Sequence, residues 1–185
     1  MEKDYNALED VVRNHYKNVV WTHKIQEKQA EIYEKRNRVW NTVNIIAAAL
    51  TSAGIVSTVF TDPTWLKITT ALLSFITTAV SALLASFDYK DNAKGCKATA
   101  SKLVALRDEL LVLLVKIKYG NLPIDDLIAE FEGIQSRTHA VYQEAPNTSR
   151  KAVDAADAAI KNNDVISPAD DIDALLPETL RRDAK

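Results

Sequence analysis

Two long stretches of this chain carry no charge: Val39–Thr61, 23 residues, and Ile68–Phe87, 20 residues. A helix of about 20 apolar residues crosses a hydrocarbon core of about 30 Å, so each stretch is long enough to span a bilayer. Only Asp62-Pro63-Thr64-Trp65-Leu66-Lys67 separates them. Asp-Pro is a turn and helix-start signal. The pair therefore reads as a helical hairpin, with spans over 40–61 and 67–87 and an external loop over 62–66. The competing reading is a buried hairpin inside a soluble bundle, where two adjacent uncharged runs of this length would be unusual.

The flanks favour the membrane. Trp40, Phe87 and Tyr89 stand at one pair of ends, Phe60 and Trp65 at the other, as expected of rings that settle at bilayer interfaces. Lys35, Arg36 and Arg38 precede the first run, and Lys90, Lys94 and Lys97 follow the second, whereas the loop has only Lys67. The positive-inside rule then places both termini in the cytoplasm. A membrane protein that crosses its bilayer twice is expected. No cleavable signal is expected, because the first 30 residues lack an apolar run of seven or more.

Residues 1–39 read as one charged helix without Gly or Pro. Tyr5, Leu8, Val12, His15 and Val19 repeat at spacings of three and four, a coiled-coil-like seam. It turns polar at Thr22 and Gln26. Glu31/Lys35 and Glu34/Arg38 are acid-first i,i+4 pairs. Residues 88–162 read as cytoplasmic helices. Leu103, Leu110, Leu114 and Ile117 share one face, and Gly120-Asn121-Leu122-Pro123 ends that helix. Leu127, Phe131, Ile134, Thr138 and Val141 form the stripe of the next. Ala145-Pro146 breaks it, and Asn147 or Thr148 is placed to cap an Ala-rich helix. The tail, 163–185, has six acids, three bases and two prolines, a composition expected to be mobile. The fold class is an all-α membrane protein: a two-helix transmembrane hairpin with a cytoplasmic bundle built from the N-terminal helix and the C-terminal helices.

Chemistry-bearing motifs are sparse. A net charge of −2 gives no field to attract nucleic acid. The single cysteine, Cys96, excludes an internal disulfide framework and a thiolate zinc cluster. It reads as a small buried thiol, with a redox sensor the lesser reading. His15 and His23 lie a little over two turns apart, too far for an adjacent ligand pair. There is no HExxH, CxxC or Gly-rich phosphate loop. Asp125-Asp126 opens a helix and favours its dipole, and Asp170-Asp171-Ile172-Asp173 lacks the glycine and distal glutamate of a calcium loop. No catalytic residue, metal or cofactor is expected, nor a nucleic-acid partner.

The spans are unusually polar. Thr70, Ser74, Thr77 and Ser81 fall in one narrow stripe at 100° per residue, and Asn44, Thr51 and Thr58 recur at heptad intervals. Small hydroxyl-bearing residues let helices approach closely. They also line aqueous paths when several chains assemble, so these seven are candidates for lining a pore. A homo-oligomer is expected, since one hairpin cannot enclose a lumen.

The order of features resembles the SLATT family, the two-transmembrane effector domains associated with bacterial nucleotide-signalling conflict systems. The matching features are Trp21-x-His23-x-x-Gln26 on the leading helix, Ala/Ser/Thr-rich spans and the exit Ser86-Phe87-Asp88. A helix with Ala100, Leu103 and Arg107 follows, then Ala145-Pro146 before Ala152, Ala155 and Ala156. They cover roughly residues 10–160. The resemblance implies structural roles for Trp21, His23, Gln26 and Pro146. It also implies an antiviral, abortive-infection effector that oligomerises and permeabilises the membrane when a nucleotide second messenger or a signalling protein triggers it. Either the cytoplasmic helices sense that signal or another chain does. The alternative function is a non-conducting anchor that recruits a cytoplasmic partner.

Overall fold

The computed structural model describes residues 2–60, 64–120, 122–161, 176 and 178–181. It contains five helices, α1 (Glu2–Phe60), α2 (Thr64–Phe87), α3 (Tyr89–Tyr119), α4 (Ile124–Glu144) and α5 (Arg150–Lys161), then a 3-10 turn at Glu178–Leu180. No strand occurs among the described residues. The leading helix and the first apolar run, separable by composition, form one uninterrupted helix of 59 residues. No Gly or Pro interrupts the charged half, and Gly54 in the apolar half is absorbed without a break.

Two compact units emerge: Met1–Ala30 with Lys94–Lys185, and Glu31–Ala93. The first is a helical bundle with a leucine core. Leu8, Val12, Tyr16 and Val19 of α1 join Leu103, Leu106, Leu110, Leu113, Leu114 and Ile117 of α3 and Leu127, Phe131 and Ile134 of α4. The stripes expected on α3 and α4 are thus the buried ones. On α1 the seam is shifted: Tyr16 is buried where His15, half-buried, was expected.

Antiparallel α3 and α4 share a ladder of ion pairs, Lys102–Glu144 (2.8 Å), Glu109–Arg137 (2.5 Å) and Lys116–Glu130 (2.7 Å). Each rung is seven residues from the next on both helices. Such partly exposed pairs contribute little singly, but the repeat fixes a coiled-coil register. The α3 end is closed by Gly120 at φ 62°, whose N–H reaches the carbonyls of Lys116 and Ile117 (both 3.1 Å).

Most of the acidic tail, and with it the Asp170–Asp173 run, lies outside the described residues. Its described part is not free. Leu176 and Leu180 are buried in the leucine core, Arg13 Nη1 donates to Leu180 O (2.7 Å), and Lys118 Nζ donates to Thr179 O. Two leucines supply the apolar contact that composition alone averages away.

Candidate functional site

In the second unit, the described apolar segments of α1 and α2 pack along a narrow seam. On α2 the half-buried positions are Leu66, Thr70, Leu73, Thr77, Val80 and Leu84; on α1 they are Asn37, Asn44, Thr51 and Gly54, with Ala47 buried. Both sets follow the 3,4 spacing of a helix pair. Side-chain size sets how close the helices come. A Cβ on Gly54 would lie 2.5 Å from Thr70 Oγ1 and 3.2 Å from its Cγ2, so only glycine fits without displacing Thr70. Farther along, Ser81 Oγ donates to Asn44 Oδ1 (3.0 Å).

The seven hydroxyl and amide candidates therefore separate. Thr70, Thr77, Asn44 and Thr51 are half-buried on the seam-facing positions. Ser74 is exposed, and Ser81 is exposed but bonded to Asn44. Thr58 is helical, and its side chain lies outside the described set. Several hydroxyls return their proton to the preceding turn: Thr51 to Ala47 O (2.8 Å), Thr77 to Leu73 O (2.9 Å) and Thr78 to Ser74 O (2.9 Å). Such bonds satisfy the donor inside hydrocarbon.

The rest of the hairpin surface is open. In each 18-residue apolar window only 6% is buried, and Ile68, Leu72 and Phe75 are at least 60% exposed. A core hairpin of a soluble protein would show the reverse. These helices carry their apolar surface outward, as membrane spans do.

In the bundle, two of the features that carried the family resemblance, Gln26 and Pro146, meet. Gln26, 2% exposed, donates through Nε2 to Pro146 O (3.1 Å). One turn later Gln29, 1% exposed, accepts the Ser149 N–H at Oε1 (2.7 Å). On the other side, Gly95 lets Pro146 approach: a Cβ there would be 3.1 Å from its Cγ. The clamp holds the link from α4 up to Ser149, whose carbonyl accepts the Ala152 and Val153 N–H groups. Ser149, rather than Asn147 or Thr148, is therefore the residue that immediately precedes α5. The sequence signal for Gln29 was its one-turn spacing from Gln26, which composition does not flag.

Trp21 is half-buried on the same helix. His23 Nε2 lies 3.5 Å from Glu27 Oε1. Burial lowers the His23 pKa below the ordinary imidazole value; the Glu27 carboxylate opposes this, and Arg107 and Lys24 reinforce it. His15 is lowered too, by burial and by His139. Its Nε2 is 3.2 Å from Thr138 Oγ1. That hydroxyl gives its proton to Ile134 O (2.9 Å), so His15 is the donor of the pair. Its ring meets Phe131 edge-on at 5.5 Å. Cys96 is wholly buried, and burial pushes its thiol up, which disfavours the reactive thiolate.

Comparison with curated proteins and with solved structures gives no match. The family model of the SMODS and SLOG-associating 2TM effector domain family 4 matches residues 8–171, a stretch that takes in the Gln26–Pro146 clamp and both apolar segments. The SLATT domains are two-transmembrane effector domains and not a known catalytic family. The chain belongs to this family: it is a membrane effector of nucleotide-signalling conflict systems.

Proposed function

We propose that the chain oligomerises through its hairpin and permeabilises the bacterial inner membrane when a nucleotide-signalling partner triggers it, aborting phage infection. Both termini and the bundle are cytoplasmic in this reading, and the chain catalyses no reaction. The observation that carries it is the polar flank outside the seam. Ser52, Ser74, Thr78 and Ser81 are exposed beside it, on the side that the Ser81–Asn44 bond marks. Hydroxyls are poorly matched to acyl chains and well matched to a neighbouring helix or to water. A ring of hairpins would turn this flank inward.

Ion flux from liposomes, with and without candidate cyclic nucleotides, tests the reading. Ser74→Leu should remove most of the flux while assembly persists, because a large apolar side chain dewets a lumen. Thr77→Leu should instead loosen the hairpin, since Thr77 stands in the seam. Normal flux through an assembled Ser74→Leu protein overturns the lumen assignment, and a conducting monomer overturns the oligomer. Topology has its own test. A cysteine at Thr64 should react with an impermeant reagent from outside intact cells, and labelling only from the cytoplasm reverses the orientation.

The return of hydroxyl protons to preceding carbonyls favours a second reading, a non-conducting anchor. A sealed ion gradient in the presence of the trigger, with partner recruitment intact, would establish it.

A further inference from the structure

We propose that the base of the hairpin is a binding site for an anionic phospholipid, with one acyl chain in an apolar groove and the headgroup phosphate on Arg36 and Lys90. The groove is open and lined by Trp40, Val80, Leu83, Leu84, Phe87 and Tyr89. Its lining is apolar apart from the Trp and Tyr polar tips. It suits a flexible hydrocarbon chain better than a helix with side chains.

Its walls are fixed. Phe87 and Tyr89 stack at 5.7 Å with planes 12° apart, and Tyr33 lies 6.2 Å from Tyr89. Between the stacked rings, Asp88 adopts φ 30°, a region that Asp tolerates better than most residues. Asp88 Oδ1 accepts the Asp91 N–H (3.1 Å), and Asn92 Nδ2 donates to Phe87 O (2.9 Å). The α2–α3 junction is thus pinned on both sides of the groove's rim.

The charge at the mouth selects the occupant. Arg36 is one turn before Trp40 and three residues after Tyr33, so all three share one flank of α1. The same helical arithmetic puts Glu31, Glu34 and Arg38 on other faces. Lys90 directly follows Tyr89. Arg36 and Lys90 are both exposed, and among the described residues neither forms an ion pair. Of the two aspartates flanking Lys90, Asp88 accepts the Asp91 amide. Trp40 stands at the end of the uncharged run, the depth at which headgroups lie. An apolar slot at that depth, with unpaired cations above it, matches a lipid phosphate and its chain.

This inference rests on the bilayer reading and is independent of conduction. The test uses the full chain with Trp21→Phe and Trp65→Phe, so that Trp40 alone fluoresces. The protein is reconstituted in phosphatidylcholine vesicles containing brominated phosphatidylglycerol or brominated phosphatidylcholine at equal mole fraction. Brominated phosphatidylglycerol should compete for Trp40 better, by about fivefold for each of the two cations. Arg36→Gln should lower the preference about fivefold, Arg36→Gln with Lys90→Gln should bring it close to one, Arg36→Lys should retain most of it, and Arg38→Gln should leave it unchanged. Circular dichroism confirms that each variant is helical. Equal quenching by the two lipids overturns the proposal, as does a preference that Arg36→Gln leaves unchanged or that survives the loss of both cations. Quenching that falls with protein density identifies a second copy in the groove and also overturns it. Loss of the preference on adding glycerol phosphate assigns the site to a soluble anion instead.

Discussion

Residues 1–30 and 94–161 hide large side chains, and residues 31–93 display them. Leu103, Leu110, Leu113 and Leu127 have no exposed surface. In the hairpin, Ile68, Leu72 and Phe75 are 64%, 60% and 71% exposed, while the buried apolar residues among the described ones there are Ala47 and Ala93. The same helix, α1, serves both regimes. Its bundle segment offers Leu8, Val12 and Val19 to the seam, and its hairpin segment offers Asn44, Ala47, Thr51 and Gly54. Water rewards the removal of apolar area, so the bundle seam is built of large aliphatic side chains. Lipid gives no such reward, and helices there associate through close approach and polar contacts.

Deleting the same side chain in each region is the strongest way to break this contrast. Leu110→Ala should destabilise the bundle by about 2–5 kcal/mol, read as faster hydrogen exchange across α3 and α4 in detergent. Leu72→Ala should leave that exchange unchanged. Equal effects would mean that the hairpin is packed like a soluble core.

Acid should separate the regions next. His15 and His23 both have lowered pKa values in the folded bundle, chiefly through burial. The unfolded chain binds their protons more readily, so stability present at neutral pH should be lost as pH falls below the ordinary imidazole value near 6.5. Thermal melts between pH 7.5 and about 5 should show the bundle transition falling, with a shallower slope in His15→Asn. The hairpin, with no histidine in its described spans, should be indifferent. A slope unchanged by His15→Asn would remove that residue from the account.

The smallest effect sharpens the hairpin side. Ser81→Ala removes the bond to Asn44 and should weaken the α1–α2 pairing by about 0.6 kcal/mol, the usual size of such bonds in bilayers. Disulfide-trapping rates between the two helices in vesicles would measure it. A much larger loss would show that Asn44 has no other way to satisfy its amide.

The charge-free runs and the i,i+3/i+4 leucines disclosed the helices and the α3 and α4 core faces, because one periodicity reports one buried face. The continuity of α1 was not legible. A change of solvent from water to lipid alters composition abruptly, yet the backbone continues through it. The α3–α4 ladder was hidden for another reason: pairing 102 with 144, 109 with 137 and 116 with 130 needs the tertiary register. At the candidate site, sequence placed Thr70, Ser74, Thr77 and Ser81 in one stripe. Only the packing separates seam positions 70 and 77 from Ser74, since a 100° wheel has no partner helix drawn on it.

The Gln26–Gln29 clamp bears on how this chain can vary over time. Both amides grip main-chain atoms, the Pro146 carbonyl and the Ser149 N–H. A peptide group offers the same two handles whatever side chain it carries. Drift at Asn147 and Thr148, both exposed, is therefore invisible to the clamp, whereas a change at Gln26 or Gln29 exposes a fixed feature of every descendant. An alignment of relatives should show two immovable glutamines opposite a loop whose middle is free to wander.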